Sequence, residues 1–274
     1  MFYKKRNKSM TVVQHLKEGV IAQLGNGFFV SVDGGLYLVT CLHIIQRAIR
    51  NKQSFGDGWD ADHLISNNQE MFKSEALFLK LRAKKYRSFH NHRVELYDSL
   101  NRRTWRSYSR PEDYWDVAVI ELNPDDLANF DLRPWTEEEF LPADTGLAPG
   151  TRIFILTHGQ KYNDTPAPFD AEAVVDRKEH QIFASSHGAM MTNPLYPGAS
   201  GSLVYTVRTN GSAIEEQRKV LEPDTEIQVA GIFTGAFPTD NPQGGHFHYI
   251  DTAAAIIRSD QDCLDEDGSN FRSP

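Results

Sequence analysis

Three residues of this sequence have the types and surroundings that nucleophilic catalysis requires. Ser200 lies in a run of small residues, Gly198-Ala199-Ser200-Gly201-Ser202, directly before the apolar run Leu203-Val204-Tyr205. Small residues weaken a strand, so the run needs a reason. One reason is a tight loop that exposes a hydroxyl and aims backbone N–H groups at one point. A bland Gly-Ser turn is the other. His43 sits just past the strand-like segment "LYLVT", and Asp116 opens the apolar run "DVAVIEL". Asp113 competes with Asp116, but Asp116 abuts Val117-Ala118-Val119-Ile120, where a carboxylate can be buried. A serine hydroxyl is a poor nucleophile at neutral pH and needs a base, and imidazole titrates near neutrality. A buried carboxylate holds that imidazole in one tautomer, and backbone donors stabilise the oxyanion that forms.

These residues need a scaffold, and strand signals dominate the chain. "GNGFFVSVDGGLYLVT" is two apolar runs around Asp33-Gly34-Gly35, a hairpin pattern. Further strands are predicted over "ALFLKLRAKKY", "RVELYDSLNRRTWRSY" with a turn near Asn101, "DVAVIEL", "TRIFILTHG", "QIFASS", "GSLVYTV", "IQVAGIFTG" and "HFHYI". Many short strands with turn signals point to β-barrels or a sandwich. Helical pattern is confined to "CLHIIQRAIR", "PDDLANF" and a final "DTAAAIIRS", with Asp251 or Thr252 as its cap. Residues 51–75 read as a polar surface insertion, residues 210–226 as a long hairpin loop, and the acidic residues after Ser259 as a poorly ordered tail.

The 274 residues, 40% of them hydrophobic, suit one large domain or two small packed ones. A net charge of −8 argues against a broad basic surface, and so against nucleic acid as the main partner. The local basic stretch from Lys80 to Arg110 reads as a solvated face, with an acidic partner as the alternative. Two cysteines, Cys41 and Cys263, make no disulfide framework. With no run of transmembrane length and no apolar signal core, the expectation is a cytoplasmic protein without a membrane partner. Cys41 reads as a small buried residue. "HNH" at His90 to His92 lacks flanking metal ligands, and "HFH" places His246 and His248 on one strand face without an evident third ligand. No metal and no organic cofactor is expected.

Taken in order, "GNGFFV", "LVTCLHI", "DVAVIEL", "PGASGSLVY" and "VAGIFTG" resemble the motifs of trypsin-like (chymotrypsin-fold) serine proteases. The likeness is to the bacterial branch with glutamyl endopeptidases and HtrA-type proteases, and it spans roughly residues 20 to 258. It implies an all-β fold of two six-stranded Greek-key barrels and a C-terminal helix. The barrels would occupy residues 20–135 and 136–258, between an N-terminal extension (1–19) and an acidic tail (259–274). It also implies His43 as base, Asp116 as orienting acid and Ser200 as nucleophile, with the N–H groups of Gly198 and Ser200 as oxyanion hole. Thr234, Gly235 and Ala236 would pair with the substrate backbone. The specificity pocket would lie near Pro194, walled by the strand of His246, Phe247 and His248, with either Phe247 or the two histidines facing it. Pro194 is not an aspartate, so Lys and Arg are disfavoured substrates.

Some positions depart from the family pattern. Leu42 is bulkier than the usual alanine before the histidine. Ala199 stands where trypsin-type zymogens carry an aspartate, and no Ile-Val-Gly-Gly-like segment is present, so activation by N-terminal insertion is not expected. The implied function is an intracellular serine endopeptidase acting on polypeptides through an acyl-enzyme. Gating by a regulatory protein partner, in a bacterial defence or stress system, is part of that expectation. The rival is a catalytically silent, protease-like module that holds peptides without cutting them.

Overall fold

In the computed structural model, described for residues 8–17, 20–45, 76–85, 88–100, 102–110, 113–142, 147–158, 169–177, 188–192, 198–207, 226–236 and 244–259, strands dominate. They are β1 (Met10–Lys17), β2 (Val20–Val32), β3 (Gly35–Thr40), β4 (Ala76–Arg82), β5 (Phe89–Glu95), β6 (Trp105–Arg110), β7 (Asp113–Leu122) and β8 (Trp135–Thr136). A second set follows: β9 (Arg152–Thr157), β10 (Phe169–Arg177), β11 (Gly188–Thr192), β12 (Ser202–Val207), β13 (Ile227–Ala236) and β14 (Gly244–Tyr249). The described residues also include the single helical turn α1 (Leu42–Ile45) and the helix α2 (Ile250–Arg258).

The β2–β3 hairpin forms where predicted. Asp33 and Gly34 both take positive φ, 48° and 81°, the backbone of a two-residue type I′ turn. Glycine and aspartate tolerate that region, and the turn's twist matches the strands it joins. From this hairpin the first sheet grows in the order β5-β4-β1-β2-β3-β7-β6, with β8 pairing β2. Its two end strands meet through a hairpin: Tyr97 bridges Arg103, and Asp98 N–H donates to Arg102 O at 2.8 Å. The Asp98 carboxylate accepts from the N–H groups of Leu100 and Arg102 and from Arg102 Nε. These donors hold its pKa below the usual carboxylate value, with the Arg102 backbone bond the largest cause. The second sheet is a closed barrel, β10-β11-β14-β13-β12-β9.

The protein is thus mostly β, with two barrel-like sheets and a C-terminal helix. The second barrel has the six strands expected; the first sheet has eight. Residues 1–19 are not simply an extension. Met10–Lys17 forms β1, paired with β2 on one side and β4 on the other. Met10, Thr11, Val12, Val13 and His15 are all buried there, because this strand is covered on both faces. "PDDLANF" is not a helix but a series of i→i−3 turns, from Leu127 N–H to Pro124 O, Ala128 to Asp125, and Phe130 to Leu127. So short a segment cannot offset the cost of helix nucleation. The final helix begins at Ile250 after an extended Tyr249 and has no side-chain cap bond, so neither Asp251 nor Thr252 caps it. "QIFASS", residues 51–75, residues 210–225 and the tail lie outside the described residues.

Two apolar cores result. Ile153, Ile155, Ala173, Val175, Val204 and Phe247 fill the second barrel. The other core joins Phe28, Phe29, Leu38, Leu77, Leu79 and Ile120 of the first sheet to Leu156, Leu203, Tyr205 and Ile232 of the second barrel, and also receives Ile250, Ala253, Ile256 and Ile257 from α2. Arg258 at the end of α2 pairs with Asp33 at 3.0 Å and with Glu137. The basic stretch is largely paired locally: Arg93 with Glu95, Arg102 with Asp98, Arg106 with Glu121, and Lys84 on Ala128 O. Among the described residues no helix is long and apolar enough to cross a membrane.

Candidate active site

Strand register brings His43 and Asp116 together. Strand β3 pairs with β7, with Thr40 opposite Ala118. His43 follows three residues after Thr40 and Asp116 precedes Ala118 by two, so both overrun the same end of the pair. The α1 turn is pinned by the fully buried Leu42 and Ile44, and Ile44 N–H donates to Cys41 O. His43 Nδ1 then lies 2.7 Å from Asp116 Oδ2. The His43 backbone N–H donates to Asp116 Oδ1 at 2.9 Å. Both carboxylate oxygens are therefore held by one residue, and both side chains are buried. A carboxylate at Nδ1 fixes the proton there and leaves Nε2 as the basic nitrogen. Asp113 lies at the far end of the hairpin, opposite Arg110, away from this pairing.

The serine loop is built against β2. Gly198 and Gly201 take φ of 96° and 84°, which favour glycine. Asn26 N–H donates to Ser200 O at 2.7 Å, and Gly201 N–H to Phe233 O at 2.8 Å. The Ser202 N–H and hydroxyl both donate to Ala199 O, at 3.1 and 2.5 Å. The same anchors serve the histidine segment. Thr40 Oγ1 donates to Asn26 O at 2.8 Å, and Cys41 Sγ donates to Phe233 O at 3.3 Å. The loops that carry His43 and Ser200 therefore share Asn26 and Phe233. A Cβ on Gly25 would lie 2.9 Å from Ser200 O, which accounts for glycine where the serine loop crosses β2.

The strand expected to receive substrate backbone also has a suitable form. Pairing of β13 with β12 ends at Phe233 opposite Ser202. Strand β13 continues through Thr234, Gly235 and Ala236, with Gly235 and Ala236 opposite His246 and Gly245 of β14. A bulge at Thr234 re-aims this end, and Gly235 has φ of 128°. On β14, Phe247 belongs to the interior core of the barrel, so it does not face a pocket on the other side. His246 and His248 are buried on the opposite face, with ring centroids 6.1 Å apart. Pro194 lies outside the described residues.

Cys41, His43 and Asp116 also form the one set of three potential metal ligands among the described residues, their ligating atoms within 4.8 Å. Nδ1 is already bonded to Asp116 Oδ2, Asp116 Oδ1 accepts the His43 backbone N–H, and the thiol donates to Phe233 O. Sequence reasoning missed Asn26, whose signal was its place between Gly25 and Gly27, in the middle of β2.

No known family model and no curated protein matches this sequence. Solved structures match its shape. The protease domain of MamO from Magnetospirillum magneticum superposes with a TM-score of 0.51 at 10% identity, over 94% of this chain and 100% of that one. The scabies mite inactivated protease paralogue S-I1 gives 0.50 at 12% identity, over 94% and 96%. The protein has the chymotrypsin-like fold seen in these serine proteases. At such identities the likeness extends to the fold alone. It does not single out the glutamyl endopeptidase branch.

Proposed function

We propose that the protein is a serine endopeptidase with His43, Asp116 and Ser200 as its triad. The observation that carries this reading is the buried His43–Asp116 pair, in which one carboxylate holds both the backbone and the ring of a histidine. Ser200 Oγ attacks the scissile carbonyl carbon while His43 Nε2 takes its proton. Asp116 stabilises the imidazolium that results. The N–H groups of Gly198 and Ser200 receive the oxyanion. The imidazolium returns the proton to the leaving amine, and an acyl-enzyme remains. Water, deprotonated by the same imidazole, then adds to the acyl carbon, and the imidazolium returns that proton to Ser200 Oγ as the ester bond breaks and the acid product leaves. The substrate chain adds to the Thr234–Ala236 edge. Phe247 is turned into the barrel, so His246 and His248 supply the pocket wall, which suits an acidic side chain and not Lys or Arg.

A gated enzyme and a silent peptide-binding module are also served by one observation: His43 and Ser200 are only 6% and 8% exposed. An intracellular endopeptidase held shut until a regulatory partner engages it fits that closure. The test is labelling by a fluorophosphonate, which reports an activated serine. The native protein is expected to label at Ser200, alone or once its partner is added. Labelling should vanish in Ser200→Ala and fall strongly in His43→Ala. A native protein that never labels under any condition would leave the binding module as the reading. Labelling that survives Ser200→Ala would remove Ser200 from the mechanism.

A further inference from the structure

We propose that the Asn26 side chain is a positioning residue that clamps the oxyanion loop from the opposite barrel. The inference rests on the protease reading for its consequence, but not for its geometry. Asn26 is on β2 and is 1% exposed. Its Nδ2 donates to Gly198 O at 3.0 Å and to Thr157 Oγ1 at 3.3 Å. Its Oδ1 accepts from His158 N–H at 3.1 Å. A backbone N–H can only donate, so the orientation of the amide is fixed by His158. Every polar hydrogen and the carbonyl of the side chain is in use.

The backbone of the same residue is equally committed. Its N–H holds Ser200 O and its carbonyl accepts from Thr40. One residue of the first sheet therefore grips the carbonyls of Gly198 and Ser200. These are the two residues whose N–H groups are proposed to meet the oxyanion. Through Thr157 and His158 it is braced against the end of β9 in the second barrel. Donors aimed in advance at a developing charge are effective because they need no reorganisation during reaction. The Asn26 amide supplies that advance aim. A backbone contact alone, which any residue on β2 could make, would hold Ser200 O but leave the carbonyl of Gly198 without this donor.

The closest substitutions separate positioning from packing. Asn26→Asp keeps the volume and the acceptor for His158 N–H, but loses both Nδ2 donors and sets an oxygen against Gly198 O. Asn26→Ala removes the group and leaves a small cavity. The first readout is native-state amide exchange, which needs no catalysis. Gly201 and Ser202 N–H should exchange at least about tenfold faster in both variants, while Val204–Val207 of β12 keep their protection. The second readout is the kinetics of fluorophosphonate labelling at Ser200, split into probe affinity and inactivation rate. The rate should fall by about 10- to 100-fold with affinity held within about twofold. Asn26→Asp should fall further than Asn26→Ala. A residue that only packs gives the reverse order. Asn26→Asp also serves if the alanine cavity unfolds the protein. If the wild type does not label under any condition, the protease reading fails, and the exchange result still decides the clamp. Unchanged exchange at Gly201 and Ser202, or an aspartate variant that labels like the wild type, overturns the proposal.

Discussion

Replacing Gly201 by alanine tests the meeting of the two barrels at its tightest point. Two costs follow from the geometry. A φ of 84° puts an L-residue in the left-handed region, at about 1–2 kcal/mol. The new Cβ would also stand 1.9 Å from Asn26 O and 2.8 Å from its carbonyl carbon. Real contacts of this kind stay beyond 3.0 Å, so the backbones must part by roughly 1 Å. Neither side is a flexible side-chain end. Parting them costs the Asn26–Ser200 and Gly201–Phe233 bonds, about 1 kcal/mol each. The sum is about 3–4 kcal/mol, or a fall in Tm of about 10 °C for a chain of this size. Gly150→Ala is the control. Its φ is 86°, but nothing lies within 4 Å of the added Cβ, so only the backbone cost of about 1–2 kcal/mol applies. Thermal and urea unfolding of both variants give the contact cost as their difference, about 2 kcal/mol. In folded Gly201→Ala, labelling at Ser200 should drop by about a hundredfold, because roughly 1 Å of misplacement disables a reacting group. Equal destabilisation of the two variants, with labelling of Gly201→Ala intact, would refute the close approach of β2 to the serine loop.

Two further outcomes are expected. Asp116→Asn should keep the fold but lower turnover, by up to about ten-thousandfold, since an amide supports the wrong imidazole tautomer; the assay is single-turnover peptide cleavage, and an unchanged rate removes Asp116 from the mechanism. Burial pushes the His92 imidazole below its ordinary pKa, against a smaller opposing pull from Asp126. The unfolded chain then binds the proton first, so this contribution is present above about pH 6.5 and is lost as pH falls through the folded value. Urea midpoints taken at about pH 7.5 and about pH 5 should lie closer together in His92→Gln than in the wild type; equal pH slopes would contradict it.

The sites were easier to read from sequence than the sheet order. Asp33-Gly34 announces its own turn, and the apolar strands β2, β3, β7, β12 and β13 announce their burial. Strand β10 does not. "FDAEAVVDR" carries Ala171, Glu172 and Ala173, which favour helix locally, with Asp170 and Asp176, which strands disfavour, and pairing with β9 and β11 makes it a strand. Strand β1 follows a charged segment and carries no turn signal, so its place between β2 and β4 is set by tertiary contact alone. The triad candidates were legible because each chemistry needs few residue types. The register that delivers Asp116 rather than Asp113 to His43 was not, and the Asn26 network was invisible, since its partners lie some 130 to 170 positions away. Phe247 illustrates the same limit. Alternation says that it and the two histidines part company, but not which of them enters the barrel.

Helix α2 has a consequence for the order in which the molecule is completed. Ile250, Ala253, Ile256 and Ile257 pack into the core that contains most of the first sheet's apolar residues, although they are joined to the last strand of the second. A ribosome releases β1–β7 long before it releases these four side chains. Until then the core beneath His43 and Asp116 lacks part of its apolar filling. The half of the site that is translated first is therefore the half that is finished last. On the proposed protease reading, a nascent chain cannot hold the whole site until the serine loop and the closing helix have both emerged. Synthesis itself acts as a timer on the proposed site.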